Sequence, residues 1–566
     1  MILGYGAKNS CVMPDIGLYY MKDIPLKGQK IMINIQKKAK EQIKTDQKAF
    51  LYKVILYAFE ATVSVTVFCM MFLKRIISCP PMNRTKGNNV LYLGIAFLGC
   101  FVICLLFKKI WKAEWKYNRR QFICIIMAAS VFAYIIQLII LKCIWFETGW
   151  DVTCVYYDAV HRAEEGTLLG AHEYFTMHPN NVMLTFLFSV ICRILHLAGL
   201  NNYYPILCCI GAFLVNIAGM LMFLIAFRLT KSIKTTVITW SIYTIFVSFS
   251  PWICVPYSDV YSMLFPISIF YLFLTKPEKT IWKAARWAGI GFLTVFGYEI
   301  KPTACIITIA IILIVCMTQA LEKKWKQIVF DMFLLAVGFL LGGLFTYGGR
   351  LYIGFIADGN KAFPVAHYLM LGQNEDSYGV FNGEDWNFTV QFDTKEEKIK
   401  NELQAAKDRF LEKGLTGNIK FLLIKNMVNY DNGTFSWAYE GDFFRDVSAR
   451  EDRLSVFLRN IYYPDGKYHY VYSVICQGIW ILLLTGCIGI FMERPRMELA
   501  VAELAVLGLT LFLLIFESRA RYLFLYMPMY VLLGGIGLKN IYLRIFSIYI
   551  EVCLHMTRYR AIIFKG

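Results

Sequence analysis

Charged residues are scarce in this chain: Asp, Glu, Lys and Arg make up 17% of its 566 residues, against 58% hydrophobic ones. Soluble domains carry about a quarter of charged residues, so this scarcity argues against a soluble enzyme. The 17 cysteines include no Cys-x-x-Cys spacing and no Cys/His ligand array, so we expect neither a zinc site nor a disulfide framework. No short apolar segment with a cleavage site opens the chain, so no removable signal peptide is expected.

The chain consists largely of long apolar segments, and its mean hydropathy is +0.51. A helix needs about 20 mainly apolar residues to cross a bilayer. The sequence therefore predicts an all-α polytopic membrane protein with about twelve transmembrane helices, some interfacial helices and a small extracytoplasmic domain. The predicted spans lie near 49–73, 88–107, 121–145, 203–228, 235–253, 260–275, 286–299, 303–320, 328–348, 471–491, 498–516 and 522–540.

The net charge of +18 would suggest nucleic acid in a soluble protein. Here Lys and Arg lie in short clusters between the apolar runs, and short basic loops stay in the cytoplasm. The charge therefore predicts orientation in the cytoplasmic (cell) membrane and no nucleic-acid partner. The segments predicted outside are 146–202, 254–259, 299–302, 349–470 and 517–521. One loop disagrees with this orientation, because the orientation would place four basic residues of the loop outside: Lys74, Arg75, Arg84 and Lys86.

The order of apolar and polar stretches predicts five regions. Residues 1–120 form a Lys-rich N-terminus with two extra spans, and 121–348 form the core transmembrane module. Residues 349–470, which carry 18 acidic and 15 basic residues, form the extracytoplasmic domain. Residues 471–540 supply the C-terminal spans, and 541–566 form a basic cytoplasmic tail.

Polar residues gather at the predicted outer face. The loop 146–202 begins with Trp150-Asp151 directly after a span and includes an amphipathic run, Val182 to Leu200, which we interpret as an interfacial helix. Ionisable residues at membrane depth are costly and by default suggest function. Further polar elements on this side are Pro256–Asp259, Glu299–Thr303, Glu517–Tyr522, His367 and Asp385.

These elements resemble a family of bacterial membrane glycosyltransferases that use polyprenyl-phosphate sugars. It is the GT-C type of glycosyltransferase family 39, which includes the protein mannosyltransferases and aminoarabinose transferases. The resemblance covers about Gln121 to Gly537. Its motifs are Trp150-Asp151, Tyr174-Phe175 with Pro179-Asn180-Asn181, Pro256-Tyr-Ser-Asp259, Lys301-Pro-Thr303, Glu517-x-Arg519-x-Arg521-Tyr522, and His367–Gly372 followed by Gly383–Asp385.

The sequence departs from the family at two positions. The usual acidic pair after the first core span is Asp151-Val152 here, and the commoner Tyr before Pro-Asn-Asn is His178. A mechanism that uses two carboxylates or a metal ion is therefore disfavoured, and we expect no metal and no cofactor. The lipid-linked sugar is itself the donor substrate.

The resemblance implies transfer of the sugar to a hydroxyl on an envelope glycan, glycolipid or protein, and it implies roles for eleven residues. Asp151 would be the catalytic base in a single displacement with inversion. Lys301, Arg519 and Arg521 would bind the leaving phosphate of the donor. The predicted substrate-binding residues are Tyr156, His178, Asn180, Asn181, Asp259, His367 and Glu517.

Structural alternatives exist for each of these residues. Asp151 could cap a helix, Lys301 could be an interfacial lysine, and Asp259 could be the N-cap of the next span. One of Arg519 and Arg521 could be structural, through a pair with Glu517. At the level of the whole protein, the alternatives are a transporter or flippase for a lipid-linked glycan and a non-catalytic envelope assembly protein.

Overall fold

The computed structural model describes residues 26–73, 89–112, 119–448 and 450–563. Within those ranges the chain is almost entirely helical. The first ten α-helices are α1 (Leu26–Met71), α2 (Asn89–Lys112), α3 (Arg119–Ile144), α4 (Trp150–Glu165), α5 (Glu173–Met177), α6 (Val182–Leu197), α7 (Tyr203–Thr230), α8 (Ile233–Tyr243), α9 (Ser258–Tyr261) and α10 (Leu264–Leu274). The others are α11 (Thr280–Ile300), α12 (Ile306–Leu321), α13 (Trp325–Tyr352), α14 (Val365–Gly372), α15 (Gly383–Val390), α16 (Lys395–Tyr430), α17 (Arg453–Tyr462), α18 (His469–Ile488), α19 (Met497–Ile515) and α20 (Met527–Ile563).

Nine of the described helical segments are long and apolar enough to cross a membrane, so the chain is an all-α polytopic membrane protein. Eight of them coincide with predicted spans, whereas the predicted spans near 88–107, 235–253, 260–275 and 286–299 are not among them. The nine are Lys44–Met71, Gln121–Ile144, Pro179–Leu197, Tyr203–Thr230, Pro302–Leu321, Trp325–Tyr352, His469–Met492, Met497–Ile515 and Ala520–Ile548. The basic loop that disagreed with the predicted orientation, with Lys74, Arg75, Arg84 and Lys86, lies outside the described residues.

The predicted continuous span 235–253 is interrupted. Helix α8 ends at Tyr243 and is followed by a π-helical turn, Thr244–Ser248, and then by a 3-10 turn that begins at Pro251. Proline lacks a backbone N–H and cannot continue an α-helix, which explains the break. The predicted span 260–275 is likewise a shorter apolar helical segment, Ser258–Leu274.

Helix α6 matches the run that we interpreted as interfacial. Its segment Pro179–Leu197 is long and apolar enough to span a bilayer, and it packs mainly against the amphipathic helix α4. Length and composition do not distinguish a helix that crosses the bilayer from one that lies along its surface. The interfacial orientation therefore stays a prediction.

The segment 349–470 is joined to the helical bundle by aromatic packing. Phe435 and Trp437 are buried, and the Trp437 ring lies 5.4 Å from the ring of Trp252. Residues Lys395 to Lys413 form the first half of α16. At Gly414 (φ 59°) that helix kinks, and its second half packs against α1 and α19.

Helices α11 and α13 approach each other closely enough that their contact requires glycine. A Cβ atom at Gly338 would lie 2.8 Å from the Cα of Gly291 and would also meet the backbone of Ala288. Small residues at such contacts let membrane helices pack backbone to backbone.

Replacing Gly338 with leucine is expected to lower the free energy of unfolding by about 1–3 kcal/mol, because the two helices must separate. The matched control is Gly343→Leu on the same helix, where nothing lies within 4 Å of the added Cβ. Thermal unfolding of the detergent-solubilised protein measures both. Equal midpoints for the two variants would contradict the close packing of α11 against α13.

Candidate functional site

Asp151 is held by a constrained turn between α3 and α4. Trp150, which begins α4, has a left-handed backbone (φ 46°), and its indole N–H donates to the hydroxyl of Thr148 (2.7 Å). Gly149 donates its backbone N–H to the carbonyl of Asp442, and a Cβ atom at Gly149 would collide with that aspartate. A non-glycine residue such as Trp150 keeps a left-handed backbone conformation only where the surrounding structure holds it in place.

A short antiparallel sheet fixes this turn to a distant part of the chain. Strand β1 (Phe146–Glu147) pairs with strand β2 (Asp446–Val447), with Phe146 opposite Val447. The sheet brings the residues that precede Asp151 beside the residues that follow Glu440. The two stretches are far apart in sequence, so the pairing is tertiary.

The carboxylate of Asp151 is half-buried at the centre of a hydrogen-bond network. The hydroxyl of Tyr257 lies 3.1 Å from Asp151 Oδ2 and 3.2 Å from Asn181 Oδ1. Asn181 in turn donates its side-chain amide to the hydroxyl of Tyr174 (2.5 Å), which also hydrogen bonds Asp151. Two tyrosine hydroxyls therefore hold the carboxylate in place. We call Asp151, Tyr174, Asn181 and Tyr257 the Asp151 network.

A second group, which we call the charge cluster, consists of Asp259, Lys301, Glu440, Arg519 and Arg521. Asp259 is buried and accepts hydrogen bonds from Lys301 and from Arg521, the latter at 3.1 Å. Asp259 is not the N-cap of a helix, because that position of α9 is Tyr257. The pair Asp259–Lys301 joins α9 to the residue at which α11 ends.

Glu440 binds both arginines of the cluster. Its Oε2 lies 3.3 Å from Arg519 Nη2, and its Oε1 lies 3.0 Å from Arg521 Nε. The latter two atoms are close but are not aligned as donor and acceptor, since neither has a hydrogen-bond partner. Among the described residues Glu517 makes no ion pair with either arginine; it accepts a hydrogen bond from Tyr522 (2.9 Å) and interacts with both arginines electrostatically.

The charge cluster is buried and has unpaired donors. The side chains of its five residues are at most 10% exposed, and Glu517 adds a third carboxyl group that interacts electrostatically with Lys301, Arg519 and Arg521. Arg519 Nε and Nη1 are buried and have no hydrogen-bond partner among the described residues. Because burying an unpaired donor is costly, these atoms are suited to an anionic ligand.

The Asp151 network and the charge cluster are in contact through aromatic rings. The guanidinium carbon of Arg521 lies 4.6 Å from the centroid of the Trp150 ring and 5.6 Å from that of Tyr257. Tyr257 thus contacts the carboxylate of Asp151 through its hydroxyl and Arg521 through its ring. The structure therefore brings together Asp151, Lys301, Arg519 and Arg521, which lie far apart in sequence.

The other predicted site residues are divided between this site and its surroundings. His178 packs on the ring of Tyr174 (5.2 Å between centroids), and Asn180 contacts Asn181 at 3.4 Å. Tyr156 instead packs in an aromatic group with Tyr157 and Tyr204, each 5.1 Å away. The structure thus places His178 and Asn180 at the Asp151 network, and it places Tyr156 beside other rings.

His367 is separated from His178 by the ring of Phe363. It is buried, and its Nδ1 lies 2.7 Å from the hydroxyl of Thr389, which donates to Glu402 (2.8 Å). Burial lowers the pKa of His367 to about 4 and raises the pKa of Glu402 to about 7. These residues form a polar network within the 349–470 segment, and in the structure His367 does not contact Asp151 directly. Asp385 is held there as well, by Arg409 (2.5 Å).

These opposite shifts predict opposite pH dependences of stability for two variants. The unfolded chain binds a proton on His367 up to about pH 6.5, whereas the folded chain loses it near pH 4, so His367 makes stability rise with pH in that window. Folded Glu402 keeps its proton from about pH 4.5 to 7, so it makes stability fall with pH. Glu402→Gln should therefore become more stable relative to wild type as pH rises from 4.5 to 7, and His367→Asn should become less stable. Thermal midpoints of the wild type and both variants, measured from pH 4.5 to 7, test this prediction. Parallel curves of midpoint against pH for all three proteins would contradict it.

Several residues of the site were not predicted from the sequence. Glu440 is the main omission. A sequence signal for it was available, because residues 427–444 contain three acids and no Lys or Arg, so their counter-ions must come from distant parts of the chain. Trp150 and Tyr257 were part of the motifs, but no role in joining the two groups was assigned to them. Lys425 was also missed: its ammonium group donates to the carbonyls of Gly372 (2.6 Å) and Phe516 (2.7 Å), and so holds the turn before Arg519.

Comparison with known proteins places the chain in a family. The chain is a polytopic helical membrane protein with a buried charge cluster beside a half-buried carboxylate. It belongs to the family described as conserved hypothetical integral membrane protein, whose family profile matches residues 48–541. No curated protein and no solved structure matches it. Among the described residues, no group of three or more His, Cys, Asp or Glu could hold a metal ion.

Proposed function

We propose that this membrane protein is a glycosyltransferase that moves a sugar from a polyprenyl phosphate to an acceptor hydroxyl. The observation that supports this is the contact between a half-buried carboxylate, Asp151, and a buried cluster of three cations in which Arg519 has unpaired donors. Transfer from a phosphate-linked donor requires a base on one side of the sugar and a stabilised phosphate on the other. The motifs that resemble the GT-C enzymes supply these same residues.

Asp151 is the proposed base. As the acceptor oxygen forms a bond to the anomeric carbon, its proton passes to the Asp151 carboxylate. The bond between the anomeric carbon and the phosphate oxygen breaks, and the phosphate leaves with the electron pair. A single displacement of this kind inverts the anomeric centre. The hydroxyls of Tyr257 and Tyr174 fix the carboxylate toward the reacting atoms.

The leaving phosphate is proposed to bind at the charge cluster. Arg519 has two free donor atoms for it, whereas Asp259 already accepts hydrogen bonds from Lys301 and Arg521. Arg519 is therefore the direct ligand in this proposal, and Lys301 and Arg521 act through the positive charge they contribute. His178, Asn180 and Asn181 orient the sugar or the acceptor. Glu517 lies next to the proposed phosphate-binding residues. The donor's phosphate bond supplies the energy, so neither nucleotide nor metal enters the scheme.

The experiment is transfer by the purified protein with a panel of polyprenyl-phosphate monosaccharides and candidate envelope acceptors. We expect one labelled sugar to be transferred by the wild type. Arg519→Gln should raise KM for the donor far more than Arg453→Gln, a control at an exposed arginine of α17. Donor KM values that are equal in the two variants would refute the phosphate assignment.

The site is proposed to face the outside of the cytoplasmic membrane, as the distribution of Lys and Arg predicts. A membrane-impermeant maleimide should label Glu396→Cys in intact cells, because this residue is exposed in the 349–470 segment. Lys283→Cys, exposed near the other end of α11, should react only in opened cells. The wild-type chain gives the background from native cysteines. The reverse pattern of labelling would overturn the orientation.

A transporter or flippase is the second candidate function, because the helical bundle contains buried acidic residues. Glu503 lies within the candidate span Met497–Ile515, is 2% exposed and interacts electrostatically with Glu60 of α1. Buried intramembrane carboxylates are typical of proton and solute pathways. Movement of a lipid-linked glycan across proteoliposomes, without any new glycosidic bond, would favour this candidate over the transferase.

A further inference from the structure

An exposed apolar surface on α16 lies next to the membrane-spanning helices. Leu415, Ile419 and Leu422 are spaced so that they share one side of the helix, and they are 80%, 53% and 41% exposed. Phe410 and Leu411, directly before the kink, are 53% and 60% exposed. We call these five residues the α16 apolar face. Exposed apolar patches of this size, within a segment otherwise rich in charge, mark interaction sites.

The kink that presents this face is a built feature of the helix. Gly414 has a left-handed φ of 59°, which interrupts the helical hydrogen bonds. The side-chain amide of Asn418 donates to the carbonyls of both Phe410 and Gly414, at 2.7 Å each. These bonds satisfy the carbonyls near the break, so the second half of α16 has a fixed direction.

The second half of α16 ends between two candidate membrane spans. Asn426 hydrogen bonds Thr66 of α1 (3.1 Å), and Tyr430 hydrogen bonds Thr510 of α19 (2.7 Å). Each partner lies five residues from the end of its span, at Met71 or Ile515, which is about 7 Å of helix at a rise of 1.5 Å per residue. The C-terminal end of α16 therefore reaches about 7 Å below the ends of the neighbouring spans.

The same arithmetic limits the height of the apolar face. Ile419 and Leu415 precede Asn426 by seven and eleven residues, so along the helix they lie about 10 and 16 Å from it. Subtracting the 7 Å leaves them at most about 3 and 9 Å beyond the span ends, and any tilt of α16 reduces these heights. The headgroup layer of a bilayer is roughly 5–8 Å thick on each side. Ile419, and Leu422 nearer to Asn426, thus lie at the level of the lipid headgroups and the adjoining acyl chains, and Leu415 lies near the outer limit of the headgroup layer.

We infer that the α16 apolar face is a lipid-binding surface that inserts into the leaflet at which α1 and α19 end. The opposite side of the same helical segment is occupied by protein, because Ile424, Met427 and Val428 pack on Cys69 of α1. Within the same segment, Lys425 donates to the carbonyl of Phe516 in the turn before Arg519. A helix that inserts into the leaflet therefore also supports the charge cluster. The occupant is bilayer phospholipid, recognised by its apolar acyl chains.

The test uses an environment-sensitive fluorophore attached to a single introduced cysteine in the full-length protein reconstituted in phospholipid nanodiscs. Ile419→Cys should give blue-shifted emission and should be quenched at least twofold more strongly by phospholipids brominated near the headgroup than Lys400→Cys. Lys400 is an exposed residue of the first half of α16 and serves as the matched control. The identically treated wild type supplies the baseline from native cysteines.

Two results would overturn the inference. One is quenching of the Ile419 probe by aqueous iodide to the same extent as the Lys400 probe. The other is a blue shift that bromolipid does not quench and that accompanies a dimer mass, which would identify a second copy of the chain as the occupant. Because the measurement needs no transfer activity, its outcome is separable from that of the proposed glycosyltransferase function.

Discussion

Replacing Asp151 with asparagine is expected to lower the rate of sugar transfer by about 10²- to 10⁴-fold, the usual contribution of a general base. Asparagine keeps the size of the side chain and can still accept the hydrogen bond from Tyr257. The loss should therefore fall on kcat, while the donor KM and the thermal midpoint change little.

The control for this variant is Asp158→Asn. Asp158 lies on the same helix, α4, and its carboxylate is 4.0 Å from His172 rather than in the Asp151 network. It should retain transfer within a few-fold of wild type. Wild-type rates from Asp151→Asn with an active lipid-linked donor would remove the carboxylate from the mechanism and favour a binding or transport role.

Removing the carboxylate of Asp259 is expected to have the largest effect on stability. This side chain is 3% exposed and accepts hydrogen bonds from Lys301 and Arg521, so Asp259→Leu leaves two buried cations without their partner. Breaking a buried ion pair on one side typically costs about 3–5 kcal/mol. Unfolding in mixed detergent micelles should show a loss of this order, with poor yield of the folded protein.

A double-mutant cycle separates the ion pair from simple loss of packing. Adding Lys301→Met to Asp259→Leu removes one of the two unpaired cations, so the double variant should be more stable than Asp259→Leu alone. If the two single effects merely add, the pair Asp259–Lys301 contributes no coupling energy and the charge cluster is not a structural unit.

The transmembrane architecture could be predicted well because hydropathy is a local property. Eight of the nine candidate spans were found from apolar length alone. The error arose where backbone chemistry interrupts an apolar run, as at Pro251; for α6, whose apolar length also allows it to cross the bilayer, the interfacial orientation stays a prediction. Hydropathy measures composition and carries no information about what a helix packs against.

The site was predictable in its members and not in its pairings. The motifs named Asp151, Lys301, Arg519 and Arg521, and the structure brings these residues together. Which acid binds which cation depends on the tertiary fold: Glu440 reaches the arginines because β1 and β2 pair and the chain between them folds back. No local pattern identifies the partner of each cation, so the prediction assigned all three cations to the phosphate and named Glu517 as the alternative partner of one arginine.

The pairing of Glu440 with the arginines also has a consequence for biosynthesis. Both acids of the charge cluster, Asp259 and Glu440, leave the ribosome before Arg519 and Arg521. About 80 residues separate Glu440 from Arg521, which at 5–20 residues per second is roughly 4–16 s of translation. During that interval Glu440 has neither of its counter-ions, so the nascent chain must keep it in contact with water or with the insertion machinery. The two arginines at the start of the candidate span Ala520–Ile548 thereby supply the counter-ions of Glu440.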